Sequence, residues 1–359
     1  MKKIILKSLL IGSVILSACK KDDPIVIPIV PAVTGGTYVL SEGGFGANNA
    51  KLAYRSDSSG VVSGDFFLQQ NPAITAGLGD LANDAIIYGS KLYIVMNGSN
   101  NVTVLNAKSG VYLNAISFIA GPVNKSPRIA LGYNGRVYVT AFDGTVNVID
   151  TSSLSIINSI QVGPNPEGLA AVGNYLYVAN SGGLNAVPDS TISVVNLTTN
   201  LEIQRITVCV NPQTVAVNSV GDVYVSGFGN FSTIPATISV INSSTNTLKE
   251  TLGSEFSYDH IRINSDTAYL YNNYGGTGIC KVMNTINNTV IRNEFITDAT
   301  SISVPYGINV NSENGDVYIA DAGNFTSAGS VTCFASNGQK KFSFSVAPGV
   351  NPNKILFVK

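Results

Sequence analysis

The sequence predicts an all-β chain, a seven-bladed β-propeller of four-stranded antiparallel blades closed by its C-terminal strand pairing with the N-terminal blade. Three observations carry this expectation. A strand of the form apolar-Tyr-apolar recurs around Tyr38, Tyr93, Tyr138, Tyr177, Tyr224, Tyr269 and Tyr318, at spacings of 39 to 55 residues. Charged residues make up only 12% of the chain, where soluble proteins average about 25%, and Gly, Ser, Thr, Asn and Val dominate. The last residues repeat the opening of a blade but have no tyrosine strand behind them.

Each repeat runs in the same order. A lead-in motif, such as Asn165-Pro166-Glu167-Gly168-Leu169, opens an inner strand. A tight turn follows at Asn134-Gly135, Gly173-Asn174, Gly221-Asp222 or Asn314-Gly315, residue types that tolerate the positive φ of a hairpin. The tyrosine strand comes next, and then a strand ending in Asn or Asp, as in Val102–Asn106, Val146–Asp150, Ile192–Asn196 and Ile238–Asn242. Their alternation of apolar and small polar residues is the period-two signature of a strand. A polar turn leads to an outer strand, for example Ile156–Val162 or Leu201–Val208. Four strands in roughly 45 residues, repeated seven times, match propeller blades and not a sandwich. The final lead-in, Asn351-Pro352-Asn353-Lys354-Ile355-Leu356-Phe357, is therefore expected to become the innermost strand of the blade that begins at Tyr38, leaving no sheet edge open. Its deletion should open the ring.

Ahead of the propeller, expected over 37–359, lies a targeting segment. Lys2, Lys3 and Lys7 precede a short apolar run from Ser8 to Leu16 that ends in Leu16-Ser17-Ala18-Cys19. The order of charge, apolar core and small residues reads as an export signal, and the run is too short for the roughly 20 apolar residues a membrane span needs. Leu-Ser-Ala-Cys resembles the lipobox of bacterial lipoproteins. That resemblance implies removal of 1–18 and lipidation of Cys19, which would tie the protein to a membrane. Lys20-Lys21-Asp22-Asp23 is similar to the charged tag that sends lipoproteins of Bacteroidota-type bacteria to the outer face of the outer membrane, so an outer-membrane, cell-exterior location is the expectation. Within the linker at 19–36, prolines at 24, 28 and 31 suit an extended spacer.

A formal net charge of −1 offers no basic face for nucleic acid. Besides Cys19, three cysteines at 209, 280 and 333 show no metal-binding spacing and read as small buried residues, with a Cys280–Cys333 bridge left open. No metal site and no cofactor are indicated.

Because inner and tyrosine strands run antiparallel, the lead-in motifs and the loops after the tyrosine strands share one face. Those loops are long and uneven at 42–49, 181–190, 227–236, 272–278 and 321–329, which marks this face as the binding surface. Aligning the lead-in motifs places Asn83, Arg128, Glu167, Gln213, Asp259, Tyr306 and Asn353 around a central funnel, one per blade. Phe45, Phe142, Phe228, Phe231, Tyr274 and Phe325 on the surrounding loops either wall a flat ligand or pack between blades. Catalysis has three weak candidates, Glu167, Asp259 and His260, with no nucleophile elbow, zinc helix or phosphate loop. His260, the sole histidine, either faces the funnel or is a hydrogen-bonded residue of the inner strand.

Tyr177-Val178-Ala179-Asn180 with Ile192-Ser193-Val194-Val195-Asn196 resembles the YVTN repeat of YncE-like propellers, and looser copies run through 37–359. The chain lacks tryptophan, unlike WD-type repeats and quinoprotein dehydrogenases. With its export signal, it is similar to the surface lipoproteins that capture cobalamin for TonB-dependent outer-membrane transporters. The resemblance implies a binding module for a small molecule, a corrinoid first of all, working with such a transporter. Two alternatives stand beside it: a propeller lyase or hydrolase acting on an exported polymer, and a glycan- or protein-binding surface-layer or adhesion protein.

Overall fold

The computed structural model describes residues 35–273 and 280–359. The export signal, Cys19 and the proline linker lie outside the described residues, as does Tyr274. Seven four-stranded antiparallel sheets make the body. Blade one consists of Pro352–Val358, Gly36–Ser41, Lys51–Ser56 and Val62–Ser63, from the inside outward. Blades two to seven have inner strands Ala82–Tyr88, Pro127–Tyr133, Pro166–Val172, Pro212–Val217, His260–Asn264 and Pro305–Val310. Their tyrosine strands are Lys91–Met96, Arg136–Ala141, Tyr175–Asn180, Asp222–Gly227, Thr267–Tyr271 and Val317–Asp321. Each inner strand packs against the next, and Pro352–Val358 packs against both Ala82–Tyr88 and Pro305–Val310, so the ring is closed.

The expected closure is present. The C-terminal strand pairs with the first tyrosine strand, Tyr38 opposite Leu356 and Val39 opposite Ile355. The inner-strand turns also follow expectation, with Asn134 and Gly135 at φ 46° and 75°.

Apolar-Tyr-apolar recurs because a blade is buried on both faces. Side chains alternate across a strand, so the tyrosine fills the interface to one neighbour and the residues beside it fill the other. Tyr38 belongs to the apolar cluster between blades one and two, whereas Val39 belongs to that between seven and one. The described core is seven such clusters, one per interface, and each holds one of the seven repeat tyrosines. Several hydroxyls then staple the ring. Tyr38 donates to the Ala107 carbonyl at 2.9 Å. Tyr177 reaches Asn246 in the outer turn of blade five, and Tyr224 reaches Thr285 and Asn288 in that of blade six.

Blade one carries a short helix, Phe66–Gln70, whose first turn is capped by the Asp65 carboxylate accepting from the Leu68 amide at 3.3 Å. It delivers Phe66 and Phe67 into the cluster between blades one and two, with Phe66 5.0 Å from Tyr54. Cys209, Cys280 and Cys333 are buried and free, so the Cys280–Cys333 bridge is not formed. Burial pushes the Cys209 thiol up to about 12 and that of Cys333 up to about 11.

Candidate functional site: the central funnel

The inner strands surround a central cavity of about 650 Å³. Six of the ring positions read from the sequence line it: Asn83, Arg128, Glu167, Gln213, Tyr306 and Asn353. They reach it through a local backbone device. In six of the seven inner strands the register against the tyrosine strand slips just after the lead-in residue, between Pro166 and Leu169 for example. A β-bulge of this kind re-aims a side chain away from the regular pleat. Here it turns the residue after the lead-in position toward the axis.

In blade six the paired strand begins at His260, beyond the point where the other blades slip, with His260 opposite Tyr271 and Ile261 opposite Leu270. By register Asp259 holds the ring position, two residues before Ile261 as Glu167 is two before Leu169, but the residue that lines the cavity at this blade is His260. Asp259 is buried beside the strand, where its carboxylate accepts from the Asn273 amide at 3.2 Å and holds His260 Nδ1 at 2.7 Å. With Nδ1–H donating to Asp259, Nε2 is left to accept from the Asn273 side-chain amide at 3.2 Å. The imidazole stacks on Tyr271, centroids 5.1 Å apart, and meets Phe228 at 5.4 Å.

Much of the ring is occupied in holding blades together. Asn353 donates to the Ala82 and Asn83 carbonyls at 2.8 and 3.0 Å, and Asn83 donates to the Arg128 carbonyl at 2.9 Å. Arg128 Nε and Nη2 grip the Glu167 carboxylate at 3.0 to 3.1 Å, with the guanidinium 4.6 Å over the Phe142 ring. Tyr306 donates to Glu42 Oε2 at 2.9 Å. These links run unbroken from blade seven through one, two and three to four. On blades five and six the pattern changes. Among the described residues Gln213 bonds within its own blade, to Asn211 at 2.6 Å, and His260 to Asp259 and Asn273, and both line the cavity beside Phe228.

The aromatic wall is smaller than the sequence suggested. Phe228 lines the cavity, and Phe325 packs edge-on against Tyr306, centroids 5.7 Å apart. Phe142 lies under Arg128, and Phe45 is 90% exposed on its loop, away from the cavity lining. Phe231 is also exposed, 5.9 Å from Phe228.

Sequence reasoning missed Glu42 and Arg262, both of which line the cavity. Burial raises the Glu42 carboxyl above its ordinary range, with Glu167 adding to the shift and Tyr306 and Arg128 opposing it. Its signal in the sequence was position alone: it follows Ser41, the last residue of a tyrosine strand, on the loop face. Of the three catalytic candidates, Asp259 and His260 meet at 2.7 Å, whereas no contact joins Glu167 to them among the described residues. The Glu167 carboxylate is committed to Arg128, and the Asp259 carboxylate to His260 and the Asn273 amide. Among the described residues no group of three or more His, Cys, Asp or Glu side chains is placed to hold a metal ion.

Fold and site together define a seven-bladed propeller with a one-sided polar funnel. The chain belongs to the DUF5074 family, a domain of unknown function, whose match covers residues 35–354. A search of the curated proteins finds no match. Among solved structures, the chain is similar to a putative 6-phosphogluconolactonase from Bacteroides uniformis, at 13% identity and TM-score 0.64, over 90% of this chain and 99% of that one. It is likewise similar to a quinonprotein alcohol dehydrogenase-like protein from Bacteroides thetaiotaomicron, at 14% identity and TM-score 0.60, over 90% and 78%. Hydrazine synthase from Kuenenia stuttgartiensis follows at 18% identity and TM-score 0.56, over 69% and 74%. At these identities the likeness is one of fold.

Proposed function

We propose that this protein is a ligand-binding module, lipid-anchored through Cys19 at the cell exterior, that captures a small polar nutrient in its funnel and passes it to an outer-membrane transporter. A corrinoid is the ligand we put first. The observation that carries the reading is the open sector of the funnel, where Gln213, His260 and Phe228 line the cavity with no hydrogen bond to a neighbouring blade among the described residues. The Gln213 amide beside the ring faces of Phe228 and His260 suits a ring-shaped ligand fringed with amides. A binding module fits better than a lyase or hydrolase, because Glu167 and Glu42 are held by Arg128 and Tyr306, which leaves Asp259 as the one carboxylate seen on His260 among the described residues. The YVTN-type repeats and the Leu-Ser-Ala-Cys segment support the same reading, by resemblance.

Calorimetric titration of the purified protein with cyanocobalamin and cobinamide tests it. Saturable binding at one site per chain is expected. Absence of heat with both would refute corrinoid capture and turn attention to glycans.

A further inference from the structure

Three carboxylates and three permanent cations line the channel: Glu42, Asp84 and Glu167 against Arg128, Arg262 and Lys354. Two of the cations are matched. Arg128 pairs with Glu167 at 3.0 Å and Lys354 with Asp84 at 2.5 Å. Arg262 has no carboxylate within ion-pair distance among the described residues, and its one hydrogen bond runs from Nη2 to Asn309 Oδ1 at 2.6 Å. The remaining carboxylate, Glu42, is spoken for by Tyr306.

Arg262 follows His260 by two residues on the same inner strand, so its side chain faces the same way about 6–7 Å further from the mouth. It is wetted by the channel, yet encircled by the inner strands, and that confinement holds its guanidinium below its ordinary value. The cavity lining includes aliphatic residues, among them Ile129 and Ile263. Asn309 is itself fixed, donating to the Ile355 carbonyl at 2.8 Å and accepting from the Val310 amide at 2.9 Å. A guanidinium steadied from one side and unpaired on the others, in surroundings less polar than water, gains most from an anion that supplies acceptors.

We propose that Arg262 is an anion-binding residue at the waist of the channel, taking the carboxylate or phosphate group of a ligand that enters from the funnel mouth. The inference rests on the funnel being the binding site and adds to it the class of ligand: one that carries an acidic group at its leading end.

The test is calorimetric titration of the purified protein and its Arg262→Gln variant with inorganic phosphate and, separately, citrate, at low ionic strength. Wild type should bind at least one of the two saturably, and Arg262→Gln should bind it about tenfold more weakly or worse, the loss expected for a charge-assisted hydrogen bond. Which anion binds distinguishes a phosphate from a carboxylate ligand. No saturable binding of either anion by wild type, or equal affinity in Arg262→Gln, would overturn the proposal. If Arg262→Gln does not fold, Arg262→Lys, which keeps the charge but loses the fork, takes its place with a several-fold loss expected, and undiminished affinity overturns. Cyanocobalamin titrated into the same proteins separates the two proposals. Corrinoid binding without anion binding overturns this one alone; Arg262-dependent anion binding without corrinoid binding supports it and overturns corrinoid capture alone.

Discussion

Leu356 is the residue through which ring closure is best measured. It sits on the C-terminal strand opposite Tyr38, is 9% exposed, and belongs to the apolar cluster between blades one and two together with Leu40, Leu52 and Val358. Truncation to alanine removes three buried carbon atoms and leaves space that a strand pinned on both sides is poorly able to fill. Buried Leu→Ala changes cost about 2–5 kcal/mol, and the two-sided confinement of this strand favours the upper part of that range. A matched control is Leu113 on the outer strand of blade two, 44% exposed, for which the same change should cost within about 0.5 kcal/mol. Urea unfolding of both variants, followed by tyrosine fluorescence and far-ultraviolet circular dichroism, compares the midpoints at constant slope. If Leu356→Ala unfolds no earlier than Leu113→Ala, the C-terminal strand is not a structural element of blade one and the closure argument fails. Removing 352–359 altogether takes Ile355 and Val358 with it, both buried, and exposes the inner edge of Gly36–Ser41. The truncated chain should be recovered as an aggregate and not as a cooperatively folding monomer.

Tyr224→Phe should lower stability by about 1–3 kcal/mol, because the Thr285 carbonyl and Asn288 side chain lose a buried donor; denaturant midpoints measure this. Glu42→Gln should raise stability at neutral pH. The folded protein holds this carboxyl above its unfolded value, so its contribution is complete below the unfolded value, falls as pH rises toward the folded one, and stays lost above it. Melting temperatures of wild type and variant should therefore diverge in favour of the variant as pH increases from about 4, and parallel curves would contradict the assignment. Cys209, Cys280 and Cys333, buried and with raised thiol values, should resist alkylation in the native protein at neutral pH and react after unfolding, as counted by mass spectrometry.

The repeats were legible because a two-sided blade leaves a strong trace: a large residue at every tyrosine position, apolar neighbours on either side, and Gly or Asn where the hairpin demands positive φ. Closure was legible for a topological reason, since a lead-in motif without a following strand at Asn351–Phe357 requires a partner elsewhere. The site was legible in its register but not in the direction of its side chains. Register puts Asp259 where the alignment did, but its carboxylate turns to His260 and the Asn273 amide, a choice that composition does not show. His260, the next residue, lines the cavity at this blade. The sequence also listed ring residues without showing which were already engaged with each other, and Asn83, Asn353 and the Arg128–Glu167 pair proved to link blades. Arg262 went unnoticed because the lead-in motif drew attention to the mouth, whereas this side chain enters the channel two residues later. The helix at Phe66–Gln70 occupies an insertion peculiar to blade one, where no repeat existed to compare.

The open sector of the funnel is the central claim, and binding of cyanocobalamin to wild type, Gln213→Ala and Thr151→Ala tests it most directly. Thr151 lies in the turn after the third strand of blade three, away from the cavity lining, and its change should leave affinity unaltered. Gln213→Ala should weaken binding about tenfold with the melting temperature preserved, since its side chain holds no neighbouring blade. Equal affinity in all three proteins would place the ligand elsewhere and contradict the account.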